Sequence, residues 1–173
     1  MPAPFDKYIY QAAQKLRSAW YSAHYVAAMR LSPTIDYQED GPLPSWHAIY
    51  ADLNNLLVRD WSNIRKGLYP APPLTEINPI SNARKSVAFF RDLSAVNRRR
   101  QAGIGQEVFK PGLRGHYPRY FLQNFHYQSG GYLTDESAAL YDHQVEVLFI
   151  GGADAMRRQC LGSLLQFTQC ATD

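Results

Sequence analysis

The sequence predicts an all-α protein of about five or six helices in an irregular bundle, with a long loop near residues 102–118. Three observations carry this. Apolar residues return at intervals of three and four along several segments. Cap-type residues and terminating glycines bracket those segments. Proline and glycine cluster between them. With 173 residues, 46% of them hydrophobic, the chain can bury a sizeable core and reads as one helical domain over 1–173.

The first helix is carried by Phe5, Tyr8, Ile9, Ala12, Ala13, Leu16, Trp20, Ala23 and Ala27, which fall on one stripe and are expected to face the core. Pro33 ends it, and residues 36–44 read as a loop. A second helix starts at Ser45, a good N-cap, buries Ile49, Leu53, Leu56, Leu57 and Ile64, and stops near Gly67. Tyr69-Pro70-Ala71-Pro72-Pro73 then imposes an extended connection. Asn78-Pro79 opens a third helix, with Val87, Phe90, Leu93 and Val96-Asn97 on it, ending at Gly103. Residues 102–118 hold four glycines and two prolines, and loops of this length are often functional. Thr134, with Asp135 and Glu136 behind it, starts another helix, continued by Ala138, Tyr141, Val145 and Leu148. Residues 145–152 also read as a strand closed by glycines, with a helix from Ala153 to Gln159. That would begin a nucleotide-phosphate site, but the spaced glycines of the full fingerprint are missing.

Several function classes are excluded or disfavoured. Two cysteines, Cys160 and Cys170, rule out a disulfide framework and a four-cysteine zinc site, and both are expected to pack as small apolar residues. His116, His126 and His143 lie near acidic residues, but no pair of them has the spacing of a helical zinc pair, so no metal is expected. No Gly-x-Ser-x-Gly elbow occurs, and Gly103-Ile104-Gly105 is better explained as a helix end. No targeting segment is recognised and no apolar run approaches the roughly 18 residues of a membrane span. A soluble, reducing compartment is expected, the cytoplasm or a plastid stroma.

The net charge of +3 hides an asymmetry. Residues 61–119 carry 11 basic and 3 acidic side chains, whereas residues 120–173 carry 2 and 6. Arg98, Arg99 and Arg100 are the densest positive run, followed by Tyr117, Tyr120 and Phe121. Arginines interleaved with aromatics suit an anionic partner, nucleic acid or an acidic surface, through phosphate contacts and stacking. The competing reading is a helix C-terminus whose arginines complement the dipole. Beyond it, Tyr120, Phe121, Phe125, His126, Tyr127 and Tyr132 crowd more rings together than one packing face uses, so some should line a cleft, with His126 and Gln128 as polar contacts.

One block resembles a known family. It runs from Tyr117-Pro118-Arg119-Tyr120-Phe121-Leu122-Gln123-Asn124-Phe125-His126-Tyr127-Gln128 through Gly131-Tyr132-Leu133-Thr134-Asp135-Glu136-Ser137-Ala138. It closes with Leu140-Tyr141-Asp142-His143-Gln144-Val145-Glu146-Val147-Leu148-Phe149 and Ala153-Asp154-Ala155-Met156-Arg157-Arg158. It is similar to the N-terminal helical region of class I S-adenosylmethionine-dependent methyltransferases of cyanobacteria and plastid-bearing organisms. Asp60-Trp61 and Gly67-Leu68-Tyr69-Pro70 also resemble the family's pattern. The resemblance divides the chain into a bundle part (1–101), the loop, and an aromatic cap segment (119–173). It implies acceptor binding and active-site shielding, with S-adenosylmethionine as the cofactor of the full-length family. It makes helix the better reading of 145–150. The family's glycine-rich cofactor loop has no counterpart in Cys160–Asp173, so this chain alone is expected to bind no cofactor and not to be catalytic. Tyr141-Asp142 is similar to the Tyr-Asp ahead of the cofactor loop in many small-molecule methyltransferases, which places Tyr141 near the cofactor. His126, Gln128 and Tyr132 are the candidate acceptor-facing residues on chemical grounds. An aromatic face left uncovered by an absent domain would favour self-association.

Overall fold

The computed structural model describes residues 4–32, 44–73, 79–106, 108, 110–124 and 127–170. These form five α-helices: α1 (Pro4–Leu31), α2 (Trp46–Arg65), α3 (Pro79–Ala102), α4 (Asp135–Leu148) and α5 (Ala153–Cys170). Short 3₁₀ turns occur at Pro111–Leu113 and Arg119–Leu122 within the glycine-rich stretch and the aromatic segment. The described residues contain no β-strand, only an isolated bridge between Arg114 and Tyr117. No described helix is long and apolar enough to cross a membrane.

The helix ends follow local chemistry. Ser45 caps α2, its Oγ accepting from the Ala48 N–H at 3.2 Å. Thr134 caps α4 in the same way through the Ser137 N–H at 3.3 Å. The ends of α2 and α3 share one hydrogen-bond pattern. Leu68 N–H donates to Asn63 O and Gly67 N–H to Ile64 O, as Ile104 N–H does to Arg99 O and Gly103 N–H to Arg100 O. The glycines take the left-handed position, at φ 74° and 64°.

The strand alternative for 145–150 does not occur. Those residues are the last turns of α4 and the turn after it. Gly151 N–H donates to Glu146 O at 2.8 Å and Ile150 N–H to Val147 O at 3.2 Å, the same terminating motif, but with Ile150 left-handed at φ 45°. The branched side chain resists that conformation. It is held there because Ile150 is buried and the turn around it is buried too.

Two compact units divide the chain. The first comprises 1–23, 37–77 and 146–173, the second 24–36 and 78–145. The first unit is organised around charge. Asp60, on α2, is fully buried at 0% exposure. Its carboxylate accepts from the Arg158 guanidinium at 2.7 and 3.1 Å, from the Tyr10 hydroxyl at 2.6 Å and from the Tyr69 hydroxyl at 2.9 Å. Tyr10, Ile64 and Tyr69 form the hydrophobic cluster beside it, flanked by Trp61 and Leu68. A second ionic group joins Arg17 to Glu146 at 2.9 Å and to Asp154 at 2.6 Å. Glu146 also accepts from the Asp154 N–H at 2.9 Å, so it caps the start of α5. Burial pushes the Glu146 carboxyl above its usual range, with Arg17 opposing that shift.

This organisation overturns the expected face of α1. Tyr8 and Leu16 are about two-thirds exposed, and Trp20 is exposed as well. The buried residues of α1 are Tyr10, Gln14, Ser18, Tyr21, Ser22 and, in the second unit, His24. Tyr10 serves Asp60, and Ser22 accepts from the Tyr50 hydroxyl at 2.8 Å. The hydrogen bonds of Tyr10 and Ser22 thus mark a buried side of α1 that apolar periodicity does not. Cys160, expected to pack inside, is exposed.

Candidate functional site

Of the residues singled out by sequence, Arg99 and Gln128 meet in the second unit at the turn 127–131, between α3 and α4. The turn is heavily determined. Tyr127 has φ 62° and Gly131 φ 58°. Buried Asn124 donates through Nδ2 to the Gln128 carbonyl at 2.7 Å and accepts through Oδ1 from the Val108 N–H at 3.4 Å. Arg99 donates to the Tyr127 carbonyl at 3.1 Å and to Ser129 Oγ at 2.9 Å. Ser129 in turn donates to Asp92 of α3.

Gln128 is buried, and both ends of its amide are engaged. Nε2 donates to Gln144 Oε1 at 2.5 Å, and Oε1 accepts from Ser137 Oγ at 2.9 Å. It therefore fastens the turn to α4 and forms one wall of a recess of about 450 Å³, also lined by Arg84, Lys85, Asp92 and Leu140.

Tyr132 lies elsewhere. Its ring meets Phe121 edge-on at 5.2 Å and 70°, and Tyr120 at 6.0 Å and 90°. Tyr120 and Phe121 pack at 4.3 Å. Partial desolvation, with the neighbouring phenols of Tyr120 and Tyr141, holds the Tyr132 hydroxyl above the ordinary phenol range. Tyr120, Tyr132 and Tyr141 are all solvent-exposed. The structure thus sets Tyr132 in an aromatic face with Tyr120 and Phe121, has Tyr141 of α4 nearby, and keeps Gln128 in the packed turn. His126 lies outside the described residues. An aromatic face of this kind can stack a flat ligand ring while its hydroxyls donate or accept at the edge.

Of the three arginines, Arg99 is half-buried and holds the turn, while Arg98 and Arg100 are exposed at the end of α3. A run that reads as one basic patch thus divides between a structural anchor and two solvated cations. Spacing gave the signal: Arg99 stands apart from its neighbours by about 100° around the helix.

His143, one of the weighed metal candidates, is a core residue at 2% exposure, set against the rings of His24 at 5.5 Å and Phe89 at 5.7 Å. Among the described residues no group of three metal-ligating side chains converges. Burial, with the nearby His24 and Lys85, lowers the His143 imidazole from 6.5 to about 4. Between those values the unfolded chain binds more protons than the folded one, so stability falls as pH drops from 6.5 towards 4. Glu146 acts in the opposite sense, because its raised pKa favours the protonated form on folding. His143→Gln is expected to lose roughly 1–3 kcal/mol less than the unsubstituted protein over that acid interval. Urea unfolding at pH 6.5 and pH 4 measures this, and equal losses in the two proteins would refute it.

Sequence reasoning missed Arg158 and Tyr69 as partners of Asp60, and Glu146 as the cap of α5. The available signal was an aspartate at position 60, four residues before the buried Ile64 on the same face of α2.

No family model, curated protein or solved structure matches this chain. The methyltransferase resemblance therefore rests on its residues.

Proposed function

We propose that the chain is the N-terminal cap region of a class I S-adenosylmethionine-dependent methyltransferase, supplying acceptor contacts and shielding to an active site completed by another part of the enzyme. The observation that carries this reading is the aromatic face of Tyr120, Phe121 and Tyr132, with Tyr141 nearby, built by the block that resembles the family. Methyl transfer needs an acceptor aligned with the sulfonium methyl and water kept away. These rings, beside a turn fixed by Arg99, Asn124 and Gln128, supply a lid for both. Tyr141 faces the cofactor, and Tyr132 the acceptor. Left uncovered, the same face is the surface through which the chain would self-associate.

The test titrates S-adenosylmethionine calorimetrically into this chain and into the chain extended by the coding sequence that follows Asp173. The expected result is no saturable binding by the chain alone, binding by the extended protein, and about a tenfold weaker Kd in Tyr141→Ala, near 1.4 kcal/mol. Tight binding by the chain alone, or the absence of a glycine-rich cofactor core downstream, would refute the proposal. Salt-sensitive nucleic-acid binding that disappears in the Arg98→Ala/Arg100→Ala variant would instead favour a helical module for an anionic partner, a reading that the exposure of those two side chains supports.

A further inference from the structure

The first unit contains a cleft that the methyltransferase reading does not use. It lies between the N-terminal half of α1 and the C-terminal half of α2 and has a volume of about 360 Å³, within the size range of small-molecule sites, about 300–1,000 Å³. Its apolar surface comes from Tyr10, Leu57, Val58 and Trp61, with the Tyr10 and Trp61 rings 5.2 Å apart.

Two features give the cleft a chemical preference. Its charged lining residues are all cations, Lys7, Lys15 and Arg65, and no carboxylate lines it. All three are exposed, and none forms an ion pair with a described residue. Lys7 and Lys15 stand two turns apart, about 12 Å along α1 at 1.5 Å per residue, so they flank the opening rather than share one point. The second feature is Gln14. Its side chain lines the cleft at 9% exposure and makes no hydrogen bond to any described residue. Its amide reaches the solvent of the cleft rather than being sealed off, so it can meet a ligand there.

We infer that this cleft binds a small amphipathic anion, a carboxylate head on an acyl body. The acyl chain lies against Leu57, Val58 and Trp61. The head sits at the rim among Lys7, Lys15 and Arg65, and Gln14 Nε2 donates to it. Apolar walls supply affinity and the unpaired cations select the sign of the head. None of these residues belongs to the aromatic face of the second unit, so the inference stands or falls independently of the proposed function.

Calorimetric titration with decanoate, decanamide and decyltrimethylammonium tests this. Decanoate is expected to bind saturably at one site, with the amide at least tenfold weaker and the cation not binding. The Lys7→Ala/Lys15→Ala/Arg65→Ala variant should weaken decanoate at least tenfold, and its affinity for decanoate should lose most of its salt dependence. Val58→Trp, which fills the cleft from an exposed position, should abolish binding without loss of fold. Gln14→Leu should weaken decanoate several-fold while the thermal midpoint stays level or rises, because the amide holds no hydrogen bond within the described residues. Equal binding of decanoate and decyltrimethylammonium, no saturable binding of any probe, or unchanged decanoate affinity in the triple variant would overturn the inference. So would a fall in the thermal midpoint of Gln14→Leu, which would show the amide to be structural.

Discussion

Asp60→Ala is expected to cost the protein about 3–5 kcal/mol, the range for removing one partner of a buried ion pair. Asp60 has no exposure, and three other side chains depend on it. Without the carboxylate, the Arg158 guanidinium, only 17% exposed, keeps its charge and loses both short contacts. The hydroxyls of Tyr10 and Tyr69 lose their acceptor in the same step. The penalty is therefore the desolvation of what remains rather than the net strength of the pair. Burial and the Asp60 hydrogen bond raise the Tyr10 phenol strongly, so it stays a proton donor throughout the ordinary pH range. Asp60→Asn keeps the shape and removes the charge, and should fall between the two proteins. Tyr10→Phe and Tyr69→Phe each delete one hydrogen bond to a charged group, roughly 1.5–3 kcal/mol. Arg158→Met together with Asp60→Leu should recover much of the loss, because a packed apolar pair carries no stranded charge. Urea unfolding measures all of these from midpoints at constant slope. A loss below about 1 kcal/mol in Asp60→Ala would show that the carboxylate is dispensable.

Gly151→Ala is the second large effect. Gly151 has φ 87°, a backbone state that side chains other than glycine's adopt at a cost of roughly 1–3 kcal/mol. Space compounds the strain. A β-carbon there would stand 3.0 Å from Ser18 Cα, 3.1 Å from Ser18 N and 3.2 Å from the Arg17 carbonyl carbon. These are backbone atoms in the middle of α1, which cannot rotate aside as a side chain would. Moving α1 would also disturb Arg17, whose guanidinium joins Glu146 and Asp154. A loss of about 3 kcal/mol or more is expected, with Gly67→Ala as the control. Gly67 has a similar φ of 74° but open space around it, so it should show the strain alone. Thermal or urea unfolding separates the two, and equal losses would show that the close approach to α1 contributes nothing.

Helix ends were the most legible part of the fold, because their causes are local. Ser45, Thr134, Gly67 and Gly103 each act within a few residues of their own position. The buried face of α1 was not legible. Its partners lie far along the chain, 50 residues from Tyr10 to Asp60 and 137 from Arg17 to Asp154. Periodicity counts apolar side chains and gives no weight to a tyrosine or serine that will be bonded inside. Residues 145–150 were ambiguous for a related reason. Val145, Val147 and Ile150 favour a strand by propensity, while Glu146 is fixed by Arg17 and caps α5, which decides for a helix end. At the candidate site, the aromatic crowding at 120–132 pointed to rings lining a cleft; the structure leaves Tyr120 and Tyr132 solvent-exposed. The internal use of Gln128 and Arg99 was hidden, since Gln128 is bonded to groups 9 and 16 residues away and Arg99 to groups 28 and 30 away.

The Asp60 anchor also bears on the order in which the chain is made. Its two tyrosine partners precede or closely follow it, but Arg158 comes 98 residues later. At ribosomal speeds of about 5–20 residues per second, that is a delay of roughly 5–20 s. During that interval, closing α1 over α2 would bury an unneutralised carboxylate, so water competes successfully for Asp60. The segments from 78 to 145, which make up most of the second unit, emerge before Arg158 does. The nascent chain therefore completes its middle before its ends, and a ribosome stalled before codon 158 should display an open, protease-sensitive first unit.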